Sequence, residues 1–135
     1  MSYPIKDIQG IGPVYADKLA AAKIETTDDL LAKCCNPAGR KATAAATGLD
    51  EKLLLKWSNL ADLMRISGVG PQFSELLEGA GVDTVKELRN RNAENLAKAM
   101  GEVNERKRLA KTAPAATSVE KWIAAAKNLE PKITY

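Results

Sequence analysis

The sequence contains no histidine, which removes the side chain that most often serves as a general base or a metal ligand. Aromatic residues make up only 4% of the chain, so a hydrophobic core has to be built from leucine, alanine, isoleucine and valine. No apolar run approaches the length of a membrane-spanning helix, and the N-terminus lacks the pattern of a signal peptide. We therefore expect a helical protein of the cytoplasm that does not enter the membrane.

Cysteine is also scarce, because the chain has only Cys34 and Cys35, which are adjacent. A disulfide between neighbours is strained, and two cysteines without histidine do not complete a zinc site. We interpret them as reduced thiols near a helix end, with a redox or metal switch as the less favoured alternative.

Catalytic patterns are missing as well. The sequence offers no Ser-His-Asp arrangement, no carboxylate cluster at metal-ligand spacing and no complete phosphate-binding loop with lysine. We therefore expect a protein that is not an enzyme, that needs no cofactor or metal, and that has no small-molecule substrate.

What the chain does contain is a repeat. Ile8-Gln9-Gly10-Ile11-Gly12-Pro13 returns as Ile66-Ser67-Gly68-Val69-Gly70-Pro71, at a spacing of 58 residues. The pairs that continue this register without gaps are Leu19 and Leu77, Ala22 and Ala80, Ile24 and Val82, Thr26 and Thr84, and Leu30 and Leu88. A supersecondary unit used twice predicts a first repeat over residues 1–65 and a second over residues 66–135. We expect the repeats to pack together, because only the short link Arg65-Ile66 joins them.

Each half is predicted as a series of helices. Proline after the second glycine is typical of a first helical position, and threonine followed by acids marks the next helix start. Asn92 is expected to cap a longer helix that runs through Leu109. Trp57 and Trp122 lie within apolar helical stripes, so we interpret both as core anchors rather than as base-stacking platforms. Their spacing of 65 residues means that the second half carries seven extra residues before its tryptophan.

The motif Ile8-x-Gly10-Ile11-Gly12-Pro13-x-x-Ala16-x-x-Leu19 resembles the helix-hairpin-helix motif, and residues 66–77 fit it with Ser74 in place of the alanine. The chain as a whole resembles a bacterial family of uncharacterised function, described as built from tandem helix-hairpin-helix units. Further segments that carry this resemblance are Thr47-Gly48-Leu49, Met64-Arg65-Ile66 and Val103-Asn104-x-x-Lys107-Arg108-Leu109. The resemblance implies an all-α fold in which tandem helix-hairpin-helix repeats pack into one compact helical domain.

In DNA-binding proteins with this motif, the glycine hairpin holds the sugar-phosphate backbone without reading bases. The resemblance implies the same role here, with amides directed outwards at the positive end of a helix dipole. The amides expected to take part are those of Gly10, Gly12 and Val14 in the first hairpin and of Gly68, Gly70 and Gln72 in the second. The alternative is that both hairpins are structural corners, with Ile11 and Val69 packed into the core.

Charge near the hairpins departs from the DNA-binding pattern. Many DNA-binding versions carry lysine or arginine where this chain has Val14 and Gln72. Lys18 is the nearest cation to the first hairpin, whereas the second is followed by Glu75 and Glu78. Because acids near a phosphate site are unfavourable, we expect the second hairpin to be the weaker candidate.

The densest positive charge lies between residues 98 and 111. We expect Lys107 and Lys111 on one helix face, four residues apart, where they would contact phosphates. The cations of this segment are Lys98, Arg106, Lys107, Arg108 and Lys111. The alternative is a solvated surface with local ion pairs such as Glu102 with Arg106. We expect Arg40 and Lys41 to be exposed. The smaller positive groups of the chain are Arg40, Lys41, Lys86, Arg89 and Arg91.

These observations leave two functions open. The first is sequence-non-specific binding of a nucleic-acid backbone, DNA being favoured, through hairpin amides and the basic helix. The second is a protein-interaction or scaffolding module that kept the fold without binding nucleic acid. The net charge of +3 neither demands nor excludes a nucleic-acid partner.

Overall fold

A computed structural model describes residues 2–135, so that Met1, the first residue of the predicted first repeat, lies outside them. This part of the chain forms one short 3₁₀ helix, Ile5–Asp7, and eight α-helices. The helices are α1 (Pro13–Ala21), α2 (Thr27–Cys34), α3 (Pro37–Thr47), α4 (Glu51–Leu63), α5 (Pro71–Gly79), α6 (Val85–Leu88), α7 (Ala93–Lys107) and α8 (Ala116–Lys127). The predicted all-α class is confirmed. Extended pairing among the described residues is confined to an isolated bridge between Pro4 and Thr26.

Three helices, α2, α6 and α7, begin at capping residues that the sequence indicated. Thr26 forms a capping box, in which its side chain accepts from the Asp29 amide while the Asp29 carboxylate accepts from the Thr26 amide. Thr84 accepts from the Glu87 amide at the start of α6, and Asn92 caps α7. The Asp29 carboxylate is therefore part of the cap of α2.

The apolar side chains form two core clusters. The first gathers residues from the 3₁₀ helix and α1–α4, and the second gathers residues from the end of α4 and α5–α8. Trp57 lies in the first cluster at 2% exposure and Trp122 in the second at 5%, so both are core anchors as expected.

Polar contacts join the end of α4 to the second half and to the C-terminal tail. Asp62 at the end of α4 is 1% exposed; its Oδ1 accepts from Arg65 at 2.6 and 2.9 Å, and its Oδ2 accepts from the Val85 amide at 2.9 Å. Arg65 also donates to the carbonyl of Glu130 at 2.8 Å. The C-terminal tail returns to the first half, where Ile133 is buried in the first cluster.

The end of α7 differs from the sequence prediction. The helix stops at Lys107, and Arg108 adopts the left-handed conformation, with φ 50° and ψ 47°. Lys111 lies beyond the helix in the connection over residues 108–115, so the expected pairing of Lys107 and Lys111 on one helix face is wrong. The ion pair expected between Glu102 and Arg106 is not among those of the described residues either.

Some of the smaller positive groups have structural roles. Arg40 was expected to be exposed, but it is buried at 5% and donates to the carbonyls of Cys34 and Thr134 at 3.0 and 2.7 Å. Arg89 donates to carbonyls at the end of α8, and Arg91 lies 3.8 Å from Glu87. Because such guanidinium groups are occupied within the protein, they contribute less to a ligand-binding surface than their number suggests.

The adjacent cysteines lie at the end of α2, as expected, and both are free thiols. Cys34 is buried, and this burial raises the pKa of its thiol. Since the thiolate is the reactive form, burial and the raised pKa both disfavour reaction at Cys34.

Candidate nucleic-acid interface

The two glycine segments have the same backbone geometry. We name residues 8–14 the first corner and residues 66–72 the second corner. Gly10 and Gly68 both have φ of 93°, a conformation that side chains other than glycine rarely adopt. Each corner closes with a short turn, in which Ile11 donates to the Ile8 carbonyl at 3.1 Å and Val69 to the Ile66 carbonyl at 3.0 Å. The sequence repeat is thus matched by a repeat in local structure.

Amides in both corners lack protein acceptors. Within residues 2–135, these N–H groups donate no hydrogen bond to another protein atom: Gly10, Gly12 and Val14 in the first corner, and Gly68, Gly70 and Gln72 in the second. All three donors of the first corner are on exposed residues, whereas Gly70 is half-buried. A β-carbon placed on Gly70 would lie 4.0 Å from the Tyr3 hydroxyl, so the N-terminal segment approaches the second corner.

The inner side of each corner packs into the core. Ile11 is 5% exposed and Val69 is fully buried. A buried tryptophan lies next to the positive-φ glycine of each corner. A β-carbon on Gly10 would lie 3.7 Å from the Trp57 Nε1, and one on Gly68 would lie 3.1 Å from the Trp122 Nε1. The corners are therefore structural on their inner side, and their amides without protein acceptors belong to residues that are exposed or, at Gly70, half-buried.

Each tryptophan also supports an aromatic ring on the helix after the corner. Tyr15 packs against Trp57 with ring centroids 5.3 Å apart, and Phe73 packs against Trp122 at the same separation. Tyr15 and Phe73 are both partly exposed. Each corner thus has a fixed ring close to its free amides.

A cleft of about 1120 Å³ lies between the second corner and the connection after α7. It contains two cations, Arg108 and Lys111, and the acid Glu105. The full lining is Gln72, Phe73, Asn104, Glu105, Arg108, Leu109, Ala110, Lys111 and Thr112. The cleft joins one corner to part of the basic segment.

Asn104 holds the wall of this cleft in place. Its side chain donates to the carbonyl of Ala110 and accepts from the Ala110 amide, both at 3.0 Å. The Arg108 amide donates to the Asn104 carbonyl at 2.7 Å, which closes the last turn of α7. The clamp ends the helix and fixes the turn that carries Arg108.

The acids after the second corner do not line the cleft. Glu75 is only 6% exposed, and Glu78 lies 4.0 Å from the Lys56 ammonium. Partial burial raises the pKa of Glu78, while Lys56 and, more weakly, Lys107 oppose that rise. The acid that lines the cleft is instead Glu105, near the end of α7.

The predicted site residues fall into separate groups. The structure brings Gln72, Arg108 and Lys111 together in the cleft. Lys98, Arg106 and Lys107 are exposed on α7 outside its lining, and Lys18 is exposed on α1 with the first corner. Sequence reasoning missed Phe73, Asn104 and Thr112 as lining residues. The seven extra residues of the second half were the signal that could have directed attention to this connection.

Fold and site together define a small all-α protein with two matching glycine corners, one of which opens onto a basic cleft. The chain belongs to the family described as Domain of unknown function (DUF4332), whose sequence model matches residues 9–129. Comparison with curated proteins and with solved structures gives no significant match. No helix of residues 2–135 is both long and apolar enough to span a membrane.

Proposed function

We propose that this protein is a non-enzymatic, sequence-non-specific binder of the nucleic-acid backbone, and that its corners act as helix-hairpin-helix units. The observation that carries the proposal is the cleft, because it places Gln72 of the second corner beside Arg108 and Lys111. Free amides at a helix N-terminus and nearby cations are both suited to phosphate oxygens.

The two corners are expected to contribute unequally. The second corner has cations of another element beside it, whereas the first corner has Lys18 on its own helix and the apolar Val14 at its tip, 66% exposed. We therefore assign the larger share of binding to the second corner and a secondary contact to the first.

Salt-dependent fluorescence anisotropy with a labelled DNA duplex and a labelled single strand tests the proposal. If about four phosphates of the duplex are neutralised, the slope of log affinity against log salt is about −3.6, which corresponds to a loss of about 150-fold between 50 and 200 mM salt. Absence of binding at low ionic strength, or binding that does not respond to salt, would contradict the proposal.

Two glycines offer a substitution that probes the corners without strain. Gly12 and Gly70 have φ of −84° and −94°, and a β-carbon has no neighbour within 4 Å at Gly12 and only the Tyr3 hydroxyl at Gly70. We expect Gly70→Glu to weaken binding strongly and Gly12→Glu to weaken it less, because each carboxylate repels phosphate at its own corner. Gly70→Ser and Gly12→Ser are the neutral controls, since serine caps a helix without adding charge.

Protein interaction is the second candidate, and the exposure of Val14 at the first corner favours it. An apolar side chain in that position suits a protein surface better than a phosphate. Recovery of one stoichiometric protein partner from a nuclease-treated extract would favour this function, whereas partners lost on nuclease treatment would favour nucleic-acid binding.

A further inference from the structure

We propose that the cleft at the second corner binds single-stranded nucleic acid, with Phe73 stacking on a base while Arg108 and Lys111 hold flanking phosphates. This inference rests on the proposed nucleic-acid binding and adds to it the strand form of the ligand and the residue that contacts a base. It also separates the two corners, since the first has no corresponding basic wall.

Phe73 supplies a prearranged aromatic surface. It is partly exposed, it lines the cleft, and its ring is supported by the buried Trp122 at a centroid distance of 5.3 Å. A ring that is already fixed loses little side-chain freedom when a base stacks on it. Stacking of one base on an aromatic side chain changes affinity by about 5- to 150-fold and tolerates any sequence.

The strand form follows from what the ring can reach. In a duplex each base is already stacked and paired, so contact with Phe73 would require extrusion of a nucleotide. In a single strand the bases are free to turn towards the ring while the phosphates remain near the cations. The cleft of about 1120 Å³ is larger than the roughly 300–1,000 Å³ typical of small-ligand pockets, which suits a strand running through it.

Arg108 has a backbone conformation that is energetically unfavourable for a residue with a side chain. Its φ of 50° is a left-handed conformation, whereas the helix of the first half that occupies the same place, α3, ends at Gly48 with φ 76°. Strained residues of this kind are concentrated at functional sites. The first-half connection, residues 48–50, is three residues long and carries no lysine or arginine, so the cationic wall belongs to the second half alone.

Three labelled probes test the inference by fluorescence anisotropy: a thymidine strand of about 12 nucleotides, an abasic strand with the same number of phosphates, and a duplex of equal length. We expect the thymidine strand to bind about 5- to 150-fold more tightly than the abasic strand, and more tightly than the duplex, at the same salt concentration. The abasic strand isolates the contribution of the bases, because it retains the backbone charge.

Matched variants separate the contribution of base stacking from that of the phosphate contacts. Phe73→Leu should lower the affinity for the thymidine strand to that for the abasic strand and leave the abasic strand unaffected, whereas Phe73→Trp should retain the preference for bases. Tyr15→Leu removes the equivalent ring of the first corner and should change neither affinity. Arg108→Gly should weaken binding of both strands. Lys23→Gly removes a cation from the other positive-φ residue of the described chain that is not glycine, and it should weaken binding of neither strand.

The outcomes separate this inference from the proposed function. If none of the probes binds, both are wrong. If all three bind with equal, salt-dependent affinity, or if Phe73→Leu leaves the preference for bases intact, backbone binding stands and the stacking site is wrong. Displacement of the thymidine strand by polyglutamate of equal charge, as effectively as by unlabelled strand, would also overturn the stacking site.

Discussion

The two halves of the molecule share their corners and differ in what stands beside them. Both corners have a glycine at φ 93° and lead into a nine-residue helix that begins at the proline of the Gly-Pro pair. In each half an aromatic ring of that helix lies 5.3 Å from the ring of a buried tryptophan. In the first half, α3 connects to α4 through residues 48–50; in the second half, α7 connects to α8 through residues 108–115. Two corners of the same local geometry can therefore lie beside different surfaces, because the difference between the halves is in a connection outside the corner.

Closer helix packing accompanies the longer connection. A β-carbon on Gly79 would lie 2.8 Å from the Val103 side chain, so α7 approaches α5 over a position where a larger residue would clash. The corresponding residue of the first half is Ala21, which carries the β-carbon that Gly79 lacks. The second half thus uses a glycine to bring α7, and with it the cationic turn, next to the corner.

The largest expected effect concerns Asp62, which has no counterpart in the first half. The amide of Val85 donates to its carboxylate, whereas the amide of Thr27, one repeat earlier, donates to the main-chain carbonyl of Tyr3 at 2.9 Å. Asp62→Ala would leave the buried Val85 amide without an acceptor and would leave the half-buried Arg65 guanidinium with the Glu130 carbonyl alone. We expect it to lower the free energy of unfolding by about 3–5 kcal/mol, measured by urea denaturation.

Asp50→Ala provides the comparison for Asp62. Asp50 is exposed and caps α4 by accepting from the Lys52 amide at 2.9 Å, so its removal should cost about 0.5–2 kcal/mol. Equal losses for the two variants would show that the buried network at Asp62 contributes no more than a surface cap.

A smaller effect on stability is expected at the positive-φ glycines of the two corners, Gly10 and Gly68, where the halves can be compared directly. Gly10→Ala should cost about 1–2 kcal/mol through backbone strain alone, because its β-carbon would meet the Trp57 Nε1 at an ordinary 3.7 Å. Gly68→Ala should cost about 2–4 kcal/mol, since the 3.1 Å contact with Trp122 adds crowding to the same strain.

Urea denaturation of the two single variants measures this difference. Trp122 fluorescence should shift in Gly68→Ala, whereas Trp57 should be little changed in Gly10→Ala. If Gly10→Ala is the more damaging variant, the second corner is not the more tightly packed of the two.

The sequence predicted the features that depend on local chemistry. Thr26 and Asn92 were identified as helix caps, because a short polar side chain before a helix satisfies free amides whatever the rest of the fold does. Trp57 and Trp122 were identified as core residues from the apolar stripes around them. The glycine corners were located because a repeat of 58 residues is visible without any structure.

Features that depend on distant contacts were missed. Arg40 was expected to be exposed, but the C-terminal tail, 94 residues away in sequence, covers it and accepts its hydrogen bond. The end of α7 was placed too late, since lysine, arginine and leucine are all good helix formers and only the clamp of Asn104 on Ala110 reveals the stop. Phe73 was not recognised as a cleft residue, because the wall opposite it comes from residues more than 30 positions later.

The smallest expected effect separates stability from binding at Arg108. Left-handed backbone costs a side-chain-bearing residue about 1–2 kcal/mol, and glycine offsets part of the gain by its greater freedom in the unfolded chain. Arg108→Gly should therefore stabilise the protein by about 0.5–1 kcal/mol, and Lys23→Gly, at φ 66° in the first half, should do so by a similar amount. Thermal unfolding at fixed salt measures both.

Arg108→Gly and Lys23→Gly should change the stability of the protein by similar amounts, but only Arg108→Gly should weaken nucleic-acid binding. If Arg108→Gly is more stable and binds a nucleic-acid strand less well, the strained arginine is retained for its ligand at the expense of stability. If Arg108→Gly instead destabilises the protein while Lys23→Gly does not, the guanidinium of Arg108 contributes to folding. Its left-handed conformation would then be explained by folding rather than by ligand binding.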